Sequence, residues 1–170
     1  MSLLKRFRSY HPAVKAIFLM IPVVLTIFVH KILMPQSAEE SAMLRDYFLS
    51  ELKNGRGIFN FMVFAPVTEE LVFRGPAFLV LLITLFVAAE FPDKKRLMVA
   101  GGVLYWLVLL GFNYFWAADH QYPITVFAYG LLVGWLMQET KSILYPMLFH
   151  AVNNACSMLA IYFGFSVVYK

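Results

Sequence analysis

Three charged side chains lie within a segment that is otherwise almost wholly apolar. Between residues 58 and 89 the chain carries Glu69, Glu70 and Arg74. A charge at membrane depth costs about 3 kcal/mol or more unless it finds a partner, so such residues indicate a functional site. Glu70 and Arg74 are four residues apart with the acid first, the favourable order for an ion pair on a helix. Glu69 lies about 100° away around the same helix, so the spacing predicts one structural carboxylate and one that is free for chemistry.

Further polar residues lie at the ends of two later apolar segments. His120 follows the third segment, and His150 and Asn154 share one helix face in the last segment. A rise of about 1.5 Å per residue places Glu69 and His150 at similar depth, with His120 nearer the outer side. Polar contacts between helices would explain any one of these residues. All of them together favour a reaction centre, and its six candidate residues are Glu69, Glu70, Arg74, His120, His150 and Asn154.

These residue types suit hydrolysis by an activated water molecule. A carboxylate in a low-dielectric site is a better general base than one in water, so Glu69 with a histidine can deprotonate water. His150 and Asn154 can donate hydrogen bonds to a developing oxyanion, a contribution of about 3 kcal/mol. A glutamate and two histidines could instead bind Zn²⁺. The HExxH spacing is absent and the Arg74 charge disfavours a cation, so neither a metal nor a cofactor is expected.

The composition indicates a membrane protein whose surroundings are the lipid bilayer. Of the 170 residues, 61% are hydrophobic and 14% are charged, whereas a soluble domain has about a quarter charged residues. The net charge of +4 comes from short basic segments beside apolar runs, a pattern of membrane topology and not of nucleic-acid binding. The single Cys156 excludes an intramolecular disulfide, and we expect it to be a small buried packing residue.

The first half of the chain predicts two membrane spans and one interfacial helix. A basic N-terminus precedes the apolar run Ala13–Met34, which is long enough for a retained transmembrane helix. Gln36–Gly57 has the pattern of a short amphipathic helix at the membrane interface, ended by Asn54-Gly55-Arg56-Gly57. Ile58–Phe91 is interrupted at Gly75-Pro76. We predict one long, kinked or tilted span there, with a broken pair of half-spans as the alternative.

The second half predicts three further spans, Leu97–Trp116, Pro123–Gln138 and Ile143–Val168. Pro92–Arg96 is the strongest internal basic cluster and is expected in the cytoplasm. Lys141 then falls on the cytoplasmic side as well, and the third span ends on the opposite side.

The predicted fold class is therefore all-α. It is a polytopic transmembrane bundle of about five spans plus one interfacial amphipathic helix. Residues 1–170 form a single domain, with the motif-bearing core at about 58–168, in a multi-pass protein of the cell membrane. Gly130 and Gly134 form a small-xxx-small pair that allows two helices to approach closely.

Three short motifs resemble those of the CPBP family. That family comprises CaaX prenyl endopeptidases of the Ras-converting type, bacteriocin-processing and immunity proteins, and bacterial relatives also called Abi. The segment from Glu69 to Gly75 resembles the family's EExxxR motif. His120 resembles the histidine of FxxxH, although Trp116 stands in place of the phenylalanine, and His150 with Asn154 resembles HxxxN. The resemblance covers residues 64–155.

The resemblance implies a glutamate-type intramembrane endopeptidase. In such enzymes the first glutamate and the second-motif histidine, here Glu69 and His120, activate water. The third-motif pair, here His150 and Asn154, binds the oxyanion, while the second glutamate and the arginine support the site. The implied partner is a membrane-anchored protein or peptide, cut near its C-terminus. Removal of a sorting tag is the leading expectation, ahead of a prenylated CaaX substrate.

Two other classes of protein remain compatible with the motifs. A non-catalytic bacteriocin-immunity or partner-binding membrane protein would hold the same residues. A small proton-coupled transporter would also need buried Glu and His, but five helices without an inverted repeat argue against it.

Overall fold

The computed structural model describes residues 10–12, 14–15, 17–18, 21, 38–53, 55–120 and 123–162. From residue 38 onward the described residues are helical apart from short turns, which confirms the all-α class. The predicted N-terminal span Ala13–Met34 lies almost entirely outside the described residues, as do residues 163–168 of the predicted last span.

Seven α-helices and one π-helical segment follow one another from residue 38. They are α1 (Ala38–Lys53), α2 (Gly55–Phe59), the π segment (Asn60–Phe64), α3 (Ala65–Phe73), α4 (Gly75–Glu90), α5 (Lys95–Ala118), α6 (Pro123–Thr140) and α7 (Leu144–Tyr162). Helices α4, α5 and α6 each pack against the next helix in the chain. Helix α3 contacts both α5 and α7, so it lies between the elements that carry the other candidate site residues.

The predicted amphipathic helix ends where expected, but the two glycines of its predicted stop signal lie in the next helix and not in a loop. Helix α1 ends at Lys53, whereas Gly55 already begins α2. Gly57 is buried, and a Cβ atom there would collide with the backbone carbonyl of Glu51. The glycine therefore serves the close packing of α2 against α1 and does not terminate a helix.

The π segment leaves one backbone carbonyl without a helical partner. The Ala65 N–H donates to the Asn60 carbonyl five residues earlier and thereby passes over Phe61. The next residue, Pro66, has no N–H to donate. The Phe61 carbonyl thus lacks both the α-type and the π-type donor, and it needs one from elsewhere.

Helices α3 and α4 meet at a bend of 57°, where the sequence predicted an interruption. Pro76 lies in the first turn of α4, where its missing N–H is tolerated. Its ring would clash with the Val72 carbonyl of a continuous helix. Arg74 occupies the break, and its backbone N–H still closes on the Glu70 carbonyl at 2.9 Å.

The described part of the chain contains one helix that is long and apolar enough by itself to cross a membrane, α5, with a mean hydropathy of 1.7. Residues 55–90, the bent pair of helices, meet the same criterion when taken together. Helices α6 and α7 lie at the predicted fourth and fifth segments. The number of five spans remains a prediction.

The described helices bury polar side chains and expose apolar ones. Glu70 and Arg74 are fully buried, while Phe86 on α4 and Val99 on α5 remain 62% and 67% exposed. An extensive apolar exterior of this kind fits contact with lipid. Cys156 belongs to that exterior, so the expectation that it is buried was wrong: no described helix covers its side of α7.

The close approach predicted from Gly130 and Gly134 is confirmed. A Cβ atom on Gly134 would collide with Leu109 of α5, and the Tyr105 hydroxyl donates a hydrogen bond to the Gly134 carbonyl. Tyr105 and Leu109 belong to a buried apolar cluster with Ala77 of α4, which joins α4, α5 and α6.

Candidate active site

Polar side chains from α3, α5 and α7 meet beside the bend. Glu69 and Glu70 lie in the second half of α3, and Arg74 lies at the break. His120 follows the end of α5, and His150 lies in the first half of α7. The site is therefore assembled from residues far apart in sequence, at the point where α3 ends.

The predicted ion pair between Glu70 and Arg74 is confirmed. Oε1 of Glu70 lies 3.0 Å from Nη1 of Arg74, and neither side chain is exposed. The second terminal nitrogen of Arg74 donates to Oδ1 of Asn113 at 3.3 Å. Asn113 in turn donates from Nδ2 to the Phe127 carbonyl of α6 at 2.8 Å. This chain of bonds ties the end of α3 to α5 and α6.

Gly130 leaves the space that this arrangement needs. A Cβ atom on Gly130 would overlap Oδ1 of Asn113 and lie 2.8 Å from Nη2 of Arg74. The glycine thus admits the amide–guanidinium contact into the helix interface, a closer approach than any side chain would permit.

His150 touches one glutamate and faces the other. Its Nδ1 lies 2.9 Å from Oε1 of Glu70, and its Nε2 lies 4.0 Å from Oε2 of Glu69. An ionised carboxylate only accepts hydrogen bonds, so Nδ1 carries the proton that it donates to Glu70. Glu70 therefore sets the orientation of the imidazole ring that is presented to Glu69.

The two adjacent carboxylates have different surroundings. Glu70 is fully buried and bonded to both Arg74 and His150. Glu69 keeps 29% of its side chain exposed, and its Oε2 accepts a hydrogen bond of 2.7 Å from Nε1 of Trp116.

Trp116 also contacts the arginine and the second-motif histidine. The guanidinium carbon of Arg74 lies 4.0 Å from the centre of the Trp116 ring, within the range of a cation–π contact. Nδ1 of His120 lies 2.7 Å from the Trp116 carbonyl, and the two rings are 4.9 Å apart in an edge-to-face arrangement. A carbonyl accepts only, so Nδ1 of His120 carries a proton, and Nε2 is the nitrogen of the neutral ring that can accept one.

Asn154 bonds to the π segment. Its Nδ2 donates to the Phe61 carbonyl at 2.9 Å, which supplies the donor that the helix cannot. The structure therefore brings Glu69, Glu70 and His150 together directly. His120 joins them through Trp116, and Asn154 joins them through the segment that leads into α3.

Sequence reasoning did not assign Asn113 or Trp116 to the site. Asn113 and Trp116 are three residues apart, so they lie on one face of α5, and His120 follows four residues after Trp116, just past the end of that helix. An asparagine in the middle of an apolar helix is itself a sequence signal of a functional site.

Three buried polar atoms at the site have no hydrogen-bond partner within the described residues. They are Oε2 of Glu70, Nε of Arg74 and the hydroxyl of Tyr129. The Tyr129 ring lies 6.4 Å from that of His150. Each such atom costs about 1–3 kcal/mol of desolvation, and a native protein retains this cost chiefly where function requires it.

A metal site is not evident in the described part of the chain. No three His, Cys, Asp or Glu side chains there are arranged to hold a metal ion.

One family model matches the chain, that of the Rce1-like type II CAAX prenyl endopeptidases. The match covers residues 56–156, more than half of the 170 residues, and contains all six candidate site residues. No curated protein and no solved structure matches the chain significantly. The resemblance stated from the motifs is confirmed: the chain belongs to the Rce1-like family of CAAX-type proteases, whose members are embedded in membranes.

Proposed function

We propose that this protein is an intramembrane endopeptidase that hydrolyses a peptide bond of a membrane-associated protein near its C-terminus. Membership of a protease family supports peptidase activity. The observation that carries the mechanism is the partly exposed carboxylate of Glu69, which lies 4.0 Å from Nε2 of His150 and next to a fully buried ion pair.

In the proposed reaction, Glu69 and His120 activate a water molecule. Oε2 of Glu69 is held by Trp116, so the other oxygen can take a proton from water. His120 donates from Nδ1 to a carbonyl, which leaves Nε2 able to accept a proton. The water oxygen attacks the peptide carbonyl carbon, and its proton passes to this base pair. The carbon–nitrogen bond then breaks as that proton is delivered to the leaving amine.

His150 and Asn154 are the proposed donors to the oxyanion of the tetrahedral intermediate. Since Nδ1 of His150 donates to Glu70, Nε2 can donate to the oxyanion only from the doubly protonated ring. In that state the charges of Glu69, Glu70, Arg74 and His150 cancel. The Asn154 amide has two hydrogens, of which one bonds to Phe61 and the second can serve the oxyanion.

Glu70 and Arg74 support the site without touching the substrate. Glu70 holds both Arg74 and His150 through the same oxygen, Oε1. Removal of either member of the pair leaves an uncompensated buried charge beside the imidazole ring.

The substrate class follows from the family and the surroundings of the site. A CAAX-type protease acts on a membrane-associated protein or peptide. We propose a substrate whose C-terminus carries either a sorting tag, with a short motif, an apolar helix and a basic tail, or a CaaX-like end.

The proposal is tested by cleavage of both substrate types with the purified full-length protein. Wild type is compared with Glu69→Ala, His120→Ala and His150→Ala, and products are identified by mass spectrometry. Glu139→Ala is the matched control, since Glu139 is exposed at the end of α6. The three site variants should lose at least about 100-fold in rate, while the control keeps wild-type activity. Equal cleavage by all variants would overturn the mechanism, and protection of cells from a bacteriocin by Glu69→Ala would support a non-catalytic immunity protein.

A further inference from the structure

Trp116 contacts three of the six candidate site residues. Its indole N–H bonds to Glu69, its ring face carries the Arg74 guanidinium, and its carbonyl bonds to His120. We propose that Trp116 is a positioning residue that fixes both water-activating groups, Glu69 and His120. This inference rests on the proposed function, because it assigns a role within that reaction.

The indole N–H restricts the Glu69 carboxylate to one orientation. An indole nitrogen donates and cannot accept, so the 2.7 Å contact engages one lone pair of Oε2. Rotation of the carboxylate breaks this bond, so the bond holds Oε2, which also lies 4.0 Å from Nε2 of His150, in place. Phenylalanine, which stands at this position in the FxxxH motif, has no group that could make the contact.

The Arg74 guanidinium holds the indole in place and strengthens it as a donor. Arg74 is itself fixed by Glu70 and Asn113, so the ring against which it stacks has a rigid support. A cation over the ring face draws electron density from the ring and makes its N–H a better donor. The second glutamate of the EExxxR motif thus acts on the first through Arg74 and Trp116.

The Trp116 carbonyl determines the tautomer of His120. The bond to Nδ1 keeps the proton on that nitrogen and the lone pair of the neutral ring on Nε2. The ring is further held by its edge-to-face contact with the indole, at 4.9 Å. One residue of α5 therefore orients the carboxylate with its side chain and the imidazole with its backbone.

The first test observes the hydrogen bond without any substrate. The chain has three tryptophans, Trp106, Trp116 and Trp135, so the protein with ¹⁵N-labelled indoles gives three N–H resonances in detergent micelles. The loss of one in Trp116→Phe assigns it. Glu69→Gln should shift that resonance upfield, because a neutral amide is a weaker acceptor than a carboxylate, and should leave the other two unchanged. Glu139→Gln should leave the Trp116 resonance in place.

The second test separates positioning from packing. Trp116→Phe retains a ring for Arg74 to stack on and removes the N–H, so kcat should fall about 10- to 100-fold, the size of a hydrogen bond to a charged group. KM should stay within about twofold, because the contact is not with the substrate. Trp106→Phe, on the same helix but in the distant apolar cluster, should match wild type.

Either of two results would overturn the inference. One is a Trp116 indole resonance that does not shift in Glu69→Gln, and the other is a wild-type kcat in Trp116→Phe. If Trp116→Phe does not fold, Trp106→Phe and Trp135→Phe assign the other two resonances, and the remaining one, that of Trp116, still decides the spectroscopic test. The Trp116 resonance could shift in Glu69→Gln while the wild-type protein cleaves neither substrate. That result would support the Trp116–Glu69 bond and count against the proposed function instead.

Discussion

The side-chain amide of Asn154 donates a hydrogen bond to the backbone carbonyl of Phe61 over 2.9 Å. That carbonyl has no helical donor, because the Ala65 N–H bonds to Asn60 and Pro66 has none. The bond joins α7 to the segment that leads directly into the helix carrying Glu69. Asn154 therefore stabilises the position of α3 in addition to any contact with the oxyanion.

Asn154→Ala should lower stability as well as activity. The variant removes the part-buried hydrogen bond to the Phe61 carbonyl, which costs about 1 kcal/mol. The measurement is thermal unfolding in detergent micelles followed by circular dichroism. Asn153→Ala is the matched control, because Asn153 is the exposed neighbour on the same helix, and it should stay within about 0.5 kcal/mol of wild type.

A second variant separates the missing donor from other effects of Asn154→Ala. Pro66→Ala restores a backbone N–H next to the π segment, and this N–H can serve the Phe61 carbonyl. The double variant should therefore lose less stability than the sum of the two single changes. Additive losses, or equal melting temperatures for Asn154→Ala and Asn153→Ala, would contradict the assignment.

The two adjacent glutamates should respond differently to the same substitution. Glu70→Gln leaves Arg74 buried without a countercharge and should destabilise the protein by roughly 3 kcal/mol. Glu69→Gln keeps an oxygen that accepts from Trp116, so it should cost less than about 1 kcal/mol while abolishing cleavage. Thermal unfolding and the cleavage assay on both proteins provide the test. Equal losses of stability would show that the two carboxylates do not divide their roles in this way.

Gly130→Ala should be far more damaging than an alanine substitution at a glycine with open space around it. The added methyl group would overlap Oδ1 of Asn113 and crowd Nη2 of Arg74, so the network that holds Arg74 would have to shift. We expect a loss of about 1–3 kcal/mol and reduced cleavage.

Gly111→Ala is the matched control for that substitution. Gly111 lies in α5 with nothing within 4 Å of its would-be Cβ atom, and alanine there should be neutral or stabilise the helix by up to about 1 kcal/mol. Similar melting temperatures for the two alanine variants would refute the packing argument at Gly130.

The spacing of residues along the sequence predicted the contacts between side chains of the same helix. Glu70 and Arg74 pair because residues four apart meet on any α-helix, whatever packs against it. Counting residues along two helices was enough to place His150 at the depth of Glu69, and the observed distance is 4.0 Å. The bend at Gly75-Pro76 followed from the chemistry of proline alone.

Contacts that depend on how a helix is rotated could not be read from the sequence in the same way. To assign Trp116 its role, one must know which face of α5 meets α3. The sequence does not show this, because α5 carries apolar side chains on every face. Gly55 and Gly57 have the composition of a helix stop, yet the packing of Gly57 against Glu51 outweighs that local preference. The hydrogen bond from Asn154 to the Phe61 carbonyl became predictable only once the π segment was known.

Cleavage should be insensitive to chelators. The mechanism uses a carboxylate bonded to Trp116 and an imidazole bonded through Nδ1, with the Arg74 cation close by, an arrangement that disfavours a divalent ion. Activity is measured before and after incubation with o-phenanthroline and EDTA, with a known zinc protease as the positive control. Strong inhibition that added zinc reverses would overturn the metal-free mechanism.

The membrane topology can be tested with single cysteines, because Cys156 is the only cysteine and Cys156→Ser removes it. In that background, cysteines are introduced by Lys53→Cys, Asp93→Cys and Glu139→Cys, at exposed positions before the bent pair of helices, after it, and at the end of α6. An impermeant maleimide then reports which side each position faces. Crossings by both α5 and α6 place Asp93 and Glu139 on the same, cytoplasmic side. A single bent span from α2 to α4 places Lys53 opposite Asp93, whereas a re-entrant pair places them on one side. Labelling of Asp93→Cys and Glu139→Cys from opposite sides would show that α5 and α6 do not both cross the membrane, and would refute the five-span bundle.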